Sequence, residues 1–145
     1  MRGSMLALAV ITVAGTIATG ATATVASAQT STSPTGPAFS TRFFTTPLEK
    51  DPSRDVRMQM QLHLPDRPGN GFHSHSGDQW EVVIEGEITF TAKGQQPRLL
   101  KTGEYVYIPR GTIHRNENKS KAPTRTIELL IMDKDKPQNT PAPAE

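Results

Sequence analysis

Gly103-Glu104-Tyr105-Val106-Tyr107-Ile108-Pro109-Arg110-Gly111-Thr112-Ile113-His114-Arg115-Asn116-Glu117-Asn118 sets a short strand between two turns and then delivers a histidine. The run 105–108 is aromatic and β-branched, which suits a pleated, half-buried strand. Gly103 and Gly111 relieve the tight turns on either side. Pro109 fixes φ and offers no N–H, so the ladder ends there. Asn118 is expected to bond its own turn through its side-chain amide.

The chain has four histidines, and working outward from His114, two more lie in Gly71-Phe72-His73-Ser74-His75. On a strand, residues two apart project from the same face, roughly 7 Å apart along the backbone, so both imidazoles can reach one ion. Ser76-Gly77-Asp78 turns the chain and Gln79 opens the next strand, its side chain directed back toward the same pocket. Imidazole and amide donors together suit a divalent transition ion: iron, manganese, nickel, copper or zinc. The fourth histidine, His63, fits neither segment and is expected at the surface or behind the ligands.

Around these segments the dominant period is two. Val56, Met58, Met60, Leu62 and Leu64 alternate with Arg57, Gln59, Gln61 and His63, the pattern of a half-buried strand. Further short strands are expected at 80–84, 87–92, 98–100, 105–108 and 124–132. Turn residues separate them at 65–71, 85–86, 93–94, 101–104, 109–111 and 116–123. No stretch sustains a helical period. Many short strands with regular turns imply an all-β antiparallel sandwich or closed barrel.

The ends read differently. Residues 3–41 contain no charged side chain, and the part from Met5 to Ala18 is apolar behind Arg2. With small residues at Ala26-Ser27-Ala28, this is the grammar of an export signal over residues 1–28, cleaved before Gln29 and leaving no membrane attachment. An uncleaved anchor is the competing reading, but Gly15, Gly20 and the threonines dilute the roughly 20 apolar residues that a spanning helix needs. Residues 29–38 are Ser, Thr, Pro and Gly and read as a flexible linker; 136–145, with three prolines, read as a disordered tail. One folded domain is thus expected over 39–135, in a periplasmic or extracellular protein.

Lys and Arg total 16 against 14 Asp and Glu, a formal charge of +2; loss of Arg2 with the leader leaves 15 against 14, or +1. The signs alternate without a basic stripe, so nucleic acid is not an expected partner. Cysteine is absent, which excludes disulfides and thiolate ligands or nucleophiles. A small molecule is the expected partner.

The histidine segments resemble the two motifs of the cupin superfamily, in its small single-domain form. The second motif, G, five residues, P, one residue, G, two residues, H, three residues, N, is met at Gly103, Pro109, Gly111, His114 and Asn118. The first, H, one residue, H, three or four residues, E, six residues, G, is met at His73, His75 and Gly86, with Gln79 at the acidic position. The family's leading glycine would fall at Arg67 and is missing. The resemblance implies a jelly-roll β-barrel of six to ten strands holding one metal on His73, His75, Gln79 and His114. It also implies a homodimer through the outer sheet.

Gln79 changes the expected chemistry. With glutamate there, a divalent ion and three neutral imidazoles would carry one positive charge; glutamine leaves two, which favours an anionic ligand. Gln79 accepts no proton, so mechanisms that use the family's glutamate as a base are disfavoured. Glu81, of the same parity, is the candidate to supply a carboxylate about 7 Å away. Phe72, Trp80, Tyr105 and Tyr107 are candidates to wall the pocket. Three readings stand side by side: a dioxygenase-like enzyme of a phenolic, enolic or carboxylate compound; a non-redox isomerase or lyase of a sugar acid or similar anion, supported by Gln79; and a non-catalytic binding barrel.

Overall fold

The computed structural model describes residues 29–31, 39–65 and 67–143. The expected signal and most of the expected linker lie outside these residues. The described residues form eleven strands and no helix: β1 (Gln29–Ser31), β2 (Phe39–Leu48), β3 (Asp51–His63), β4 (His73–Ser74), β5 (Gly77–Glu85), β6 (Glu87–Ala92), β7 (Arg98–Lys101), β8 (Tyr105–Ile108), β9 (His114–Glu117), β10 (Thr124–Asp133) and β11 (Thr140–Pro141). They pair into a six-stranded sheet, ordered β1-β2-β3-β10-β5-β8, and a five-stranded sheet, ordered β11-β4-β9-β6-β7. Every pairing is antiparallel. The sheets face each other as a jelly roll without a ladder closing one onto the other.

Val83, Ile88, Phe90, Ala92, Leu100, Val106 and Ile108 form one buried cluster, and Leu130 and Met132 are buried as well. Gly86 makes the β5-β6 turn with φ 79°, a left-handed conformation that glycine adopts without strain. A Cβ there would also lie 2.8 Å from Thr124 Oγ1 and 2.9 Å from the Pro123 carbonyl, so no other residue fits.

The alternation in β3 is present, but its faces are reversed from a conventional apolar-inward strand. Arg57, Gln59, Gln61 and His63 are buried between the sheets, whereas Val56, Met58, Met60 and Leu62 lie half-buried on the outer face. A period of two tells which residues share a face and not which face turns inward. Register settles it here: Gln59 and Glu128 are cross-strand partners, as are Glu128 and Glu81, so these polar residues form one inward row across three strands. The matching outer rows are Phe44, Met58, Leu129, Trp80 and Tyr107, and beside it Thr41, Met60, Ile127, Val82 and Tyr105.

Both expected unstructured ends contribute strands. Gln29–Ser31 pairs with β2 at Ser40 to Arg42. Within the expected tail, β11 pairs with β4, Thr140 opposite Ser74 and Pro141 opposite His73. The Ala142 N–H donates to the Phe72 carbonyl at 2.8 Å. Composition priced these segments as unable to order themselves; what orders them is the unpaired edge that each one covers.

Candidate metal centre

His73 in β4 sits directly opposite His114 in β9, and His75 follows two residues on with the same parity. Their ring centroids are 4.5 to 5.0 Å apart, and one nitrogen from each lies within 4.8 Å of the others. All three are buried, as is Gln79 on β5. His73 and His114 come from the five-stranded sheet and Gln79 from the six-stranded one, with His75 in the turn between β4 and β5.

Each imidazole has its outer nitrogen tied down. His73 Nδ1 contacts the Gly71 carbonyl at 3.0 Å, His114 Nδ1 the Thr112 carbonyl at 3.0 Å, and His75 Nδ1 the Gln138 carbonyl at 2.7 Å. A carbonyl only accepts, so Nδ1 carries the proton and Nε2 presents its lone pair. His75 Nε2, His114 Nε2 and Gln79 Oε1 are buried without a hydrogen-bond partner. Gln79 also lies close enough to His75 to raise its basicity. These buried acceptors lack a protein partner, an arrangement costly to leave unmet and satisfied by a cation. The three imidazoles therefore fit one metal ion, with Gln79 Oε1 beside His75 as a further donor. Burial holds all three imidazoles below the usual histidine range, His114 down to about 3, which keeps them neutral and ready to ligate.

Glu81 lies two residues beyond Gln79 on the same face and is wholly buried. Asn116 Nδ2 donates to Glu81 Oε2 at 2.6 Å, while Glu81 Oε1 has no partner. Across the ladder stands Glu128, which the sequence reading missed. Gln59 Nε2 and Gln61 Nε2 both donate to Glu128 Oε2, at 2.5 and 3.0 Å. Burial raises both carboxyl pKa values, and the charge of Glu128 raises that of Glu81 further. Two carboxylates so close and so dry retain a proton between them. Asn116 and Thr126 bond Glu81 and two amides bond Glu128, but Arg42 stabilises charge on Glu128 alone, so charge favours Glu128 and the proton favours Glu81. Only its place as the single charged residue within the apolar run 127–132 could have flagged Glu128.

Other expectations are corrected. Trp80, Tyr105 and Tyr107 do not wall the pocket: they stand on the outer face, where Trp80 and Tyr107 stack on each other at 5.0 Å. Phe72 packs under the Arg115 guanidinium, and Phe90, not singled out beforehand, stacks on His114. His63 is buried, with Nε2 3.2 Å from Thr126 Oγ1. Arg42, also missed, reaches inward from β2, donating to Gln59 Oε1 at 3.2 Å and Gln138 Oε1 at 2.7 Å. Asn118 does bond its own turn: its Nδ2 donates to the His63 and Ala122 carbonyls, and its Oδ1 accepts from the Ser120 N–H and hydroxyl.

This fold and histidine cluster define a cupin, and comparison agrees. The family described as Cupin domain matches residues 60–131, and the chain belongs to the cupin superfamily. The uncharacterized protein YdbB of Bacillus subtilis is 31% identical over 62 residues, 43% of this chain and 51% of that protein. The chain thus matches about half the length of that relative. A conserved protein with a double-stranded beta-helix domain from Klebsiella pneumoniae superposes with a TM-score of 0.54 at 17% identity, covering 77% of this chain and 89% of its own. DMSP lyase DddQ from Ruegeria pomeroyi gives 0.54 at 18% identity, covering 79% and 61%. At such identities the superpositions establish the fold alone.

Proposed function

We propose that this cupin is an exported metalloenzyme that performs a non-redox elimination or isomerisation on a small polar carboxylate. The observation that carries this reading is the buried Glu81–Glu128 pair beside the three histidines, in an interior lined by Gln59, Gln61, Asn116 and Arg42. A bound divalent ion supplies Lewis-acid polarisation of a coordinated oxygen. The chain's residues supply the rest. Arg42, on the inward row with Gln59, offers a guanidinium to a substrate carboxylate. Glu81 Oε1 delivers its proton to one atom of the bound molecule and recovers a proton from another, ending as it began, while Glu128 Oε2, held by two amides, remains the carboxylate throughout. Burial keeps bulk water from the exchange.

A dioxygenase acting on a phenolic compound would call for an aromatic wall, whereas Trp80, Tyr105 and Tyr107 stand on the outer face and Phe72 packs under Arg115, leaving Phe90 as the aromatic ring stacked on His114. Purified protein loaded with divalent metal should convert hydroxylated or unsaturated small carboxylates under strictly anaerobic conditions. Turnover that stops without oxygen would restore the oxygenase reading. Ligand binding without product would support a non-catalytic barrel. Export rests on the character of residues 1–28 and is tested by intact mass, with a chain starting at Gln29 expected and a full-length chain contradicting it.

A further inference from the structure

The segment that composition marks as a tail touches the centre twice through one residue. The Gln138 carbonyl accepts from His75 Nδ1 at 2.7 Å, and Gln138 Oε1 accepts from Arg42 Nη2 at 2.7 Å. The other two imidazoles are fixed by carbonyls two positions away in their own turns, Gly71 for His73 and Thr112 for His114. His75 alone depends on a carbonyl 63 residues distant. The segment is anchored just beyond by the β11-β4 pairing and by the Ala142 N–H to the Phe72 carbonyl. β11 has two residues, so the strap is held by few bonds at an exposed sheet edge.

We infer that residues 136–143 are a strap whose Gln138 is a positioning residue with two separable arms: its backbone carbonyl holds His75 in the metal-binding tautomer, and its side chain holds Arg42 in place for a substrate carboxylate. The first arm follows from geometry. A carbonyl at Nδ1 makes Nε2 the lone-pair nitrogen, and without it the two tautomers of His75 approach equal standing. The second arm follows from the shared contact: Gln59 and Gln138 together fix one guanidinium nitrogen, while Arg42 Nε is buried without a partner and available to an anion. The inference rests on the proposed function for its substrate class, and on the histidine geometry alone for its metal arm.

The test uses zinc as the metal, malonate as the carboxylate probe, and imidazole ¹⁵N shifts to read the tautomer of His75 in metal-free protein. A chain ending at Pro137 should bind zinc about 10- to 100-fold more weakly, with His75 changed from the Nδ1–H form to a mixture. Gln138→Ala in the full chain should keep zinc affinity and tautomer but weaken malonate binding several-fold, and Gln138→Glu, which sets a carboxylate against Arg42, should weaken it at least as far. Unchanged zinc affinity and tautomer in the truncated chain would overturn the inference, as would Gln138→Ala weakening zinc as much as truncation does. Should the truncated chain fail to fold, the full chain decides, because His75 found as the Nε2–H form overturns the metal arm. Failure of wild-type protein to bind zinc would remove the proposed function and leave the tautomer test standing.

Discussion

Glu81 and Glu128 face each other on neighbouring strands β5 and β10, both buried and each tied to a different amide: Glu81 to Asn116, Glu128 to Gln59 and Gln61. Nothing in apolar packing calls for two carboxyls at this place, and burying them costs stability unless they serve the site.

If the pair moves the proton, Glu81→Gln should lower kcat by about 10²- to 10⁴-fold while leaving metal content at the wild-type level. The amide keeps the shape and cannot exchange the proton. Steady-state kinetics beside elemental analysis checks this, and a variant with unimpaired kcat would assign the pair a structural role only.

Gln79 sets the charge of the centre. Gln79→Glu should retain the metal, since a carboxylate ligates at least as well as an amide, but weaken malonate binding about 10-fold by removing one net positive charge, roughly 1.4 kcal/mol. Calorimetric titration reads this directly; equal or tighter anion binding would contradict the charge argument.

His63 predicts the acid limb of stability. Burial lowers its pKa from 6.5 to about 4, so between these values the unfolded chain binds the proton and the folded one does not. Stability falls as pH drops from 6.5 toward 4 and levels off below it, a loss of about 3 kcal/mol at most from this group. In metal-free protein, urea unfolding of His63→Gln between pH 4 and pH 7 should show a correspondingly shallower slope than wild type. Parallel slopes would mean that His63 titrates alike in both states.

The outer face of the six-stranded sheet exposes Val82, Leu129, Tyr105 and Tyr107, with Tyr105 at 60% and Leu129 at 36% of full accessibility. Apolar rows running across five strands exceed the scattered exposure usual for a monomer. We propose a second copy as the occupant, and Leu129→Asp should convert a dimer in sedimentation velocity to a monomer with little change in far-ultraviolet dichroism. A wild-type monomer at micromolar concentration would refute this.

How far the sequence carried depended on whether information was local. Gly103, Pro109, Gly111 and His114 announce their turns and ligand within a few positions, and the strands expected at 87–92 and 105–108 coincide with β6 and β8. The orientation of β3 was not local: whether Gln59 or Met58 turns inward is decided by the strand paired with it. Glu128 and Arg42 became visible only once the ladders aligned them with Glu81 and Gln59. Gln138 was hidden for a different reason. Proline-rich composition speaks of intrinsic order, whereas its order is borrowed from the edge at β4.

The centre itself is tested most directly by elemental analysis of purified protein reloaded with divalent metal and freed of excess. Wild type should retain about one equivalent per chain, and His73→Ala and His114→Ala should each lose most of it, because removing one imidazole leaves an incomplete donor set. Full stoichiometric metal in both variants, or none in wild type, would contradict the assignment of these histidines as ligands.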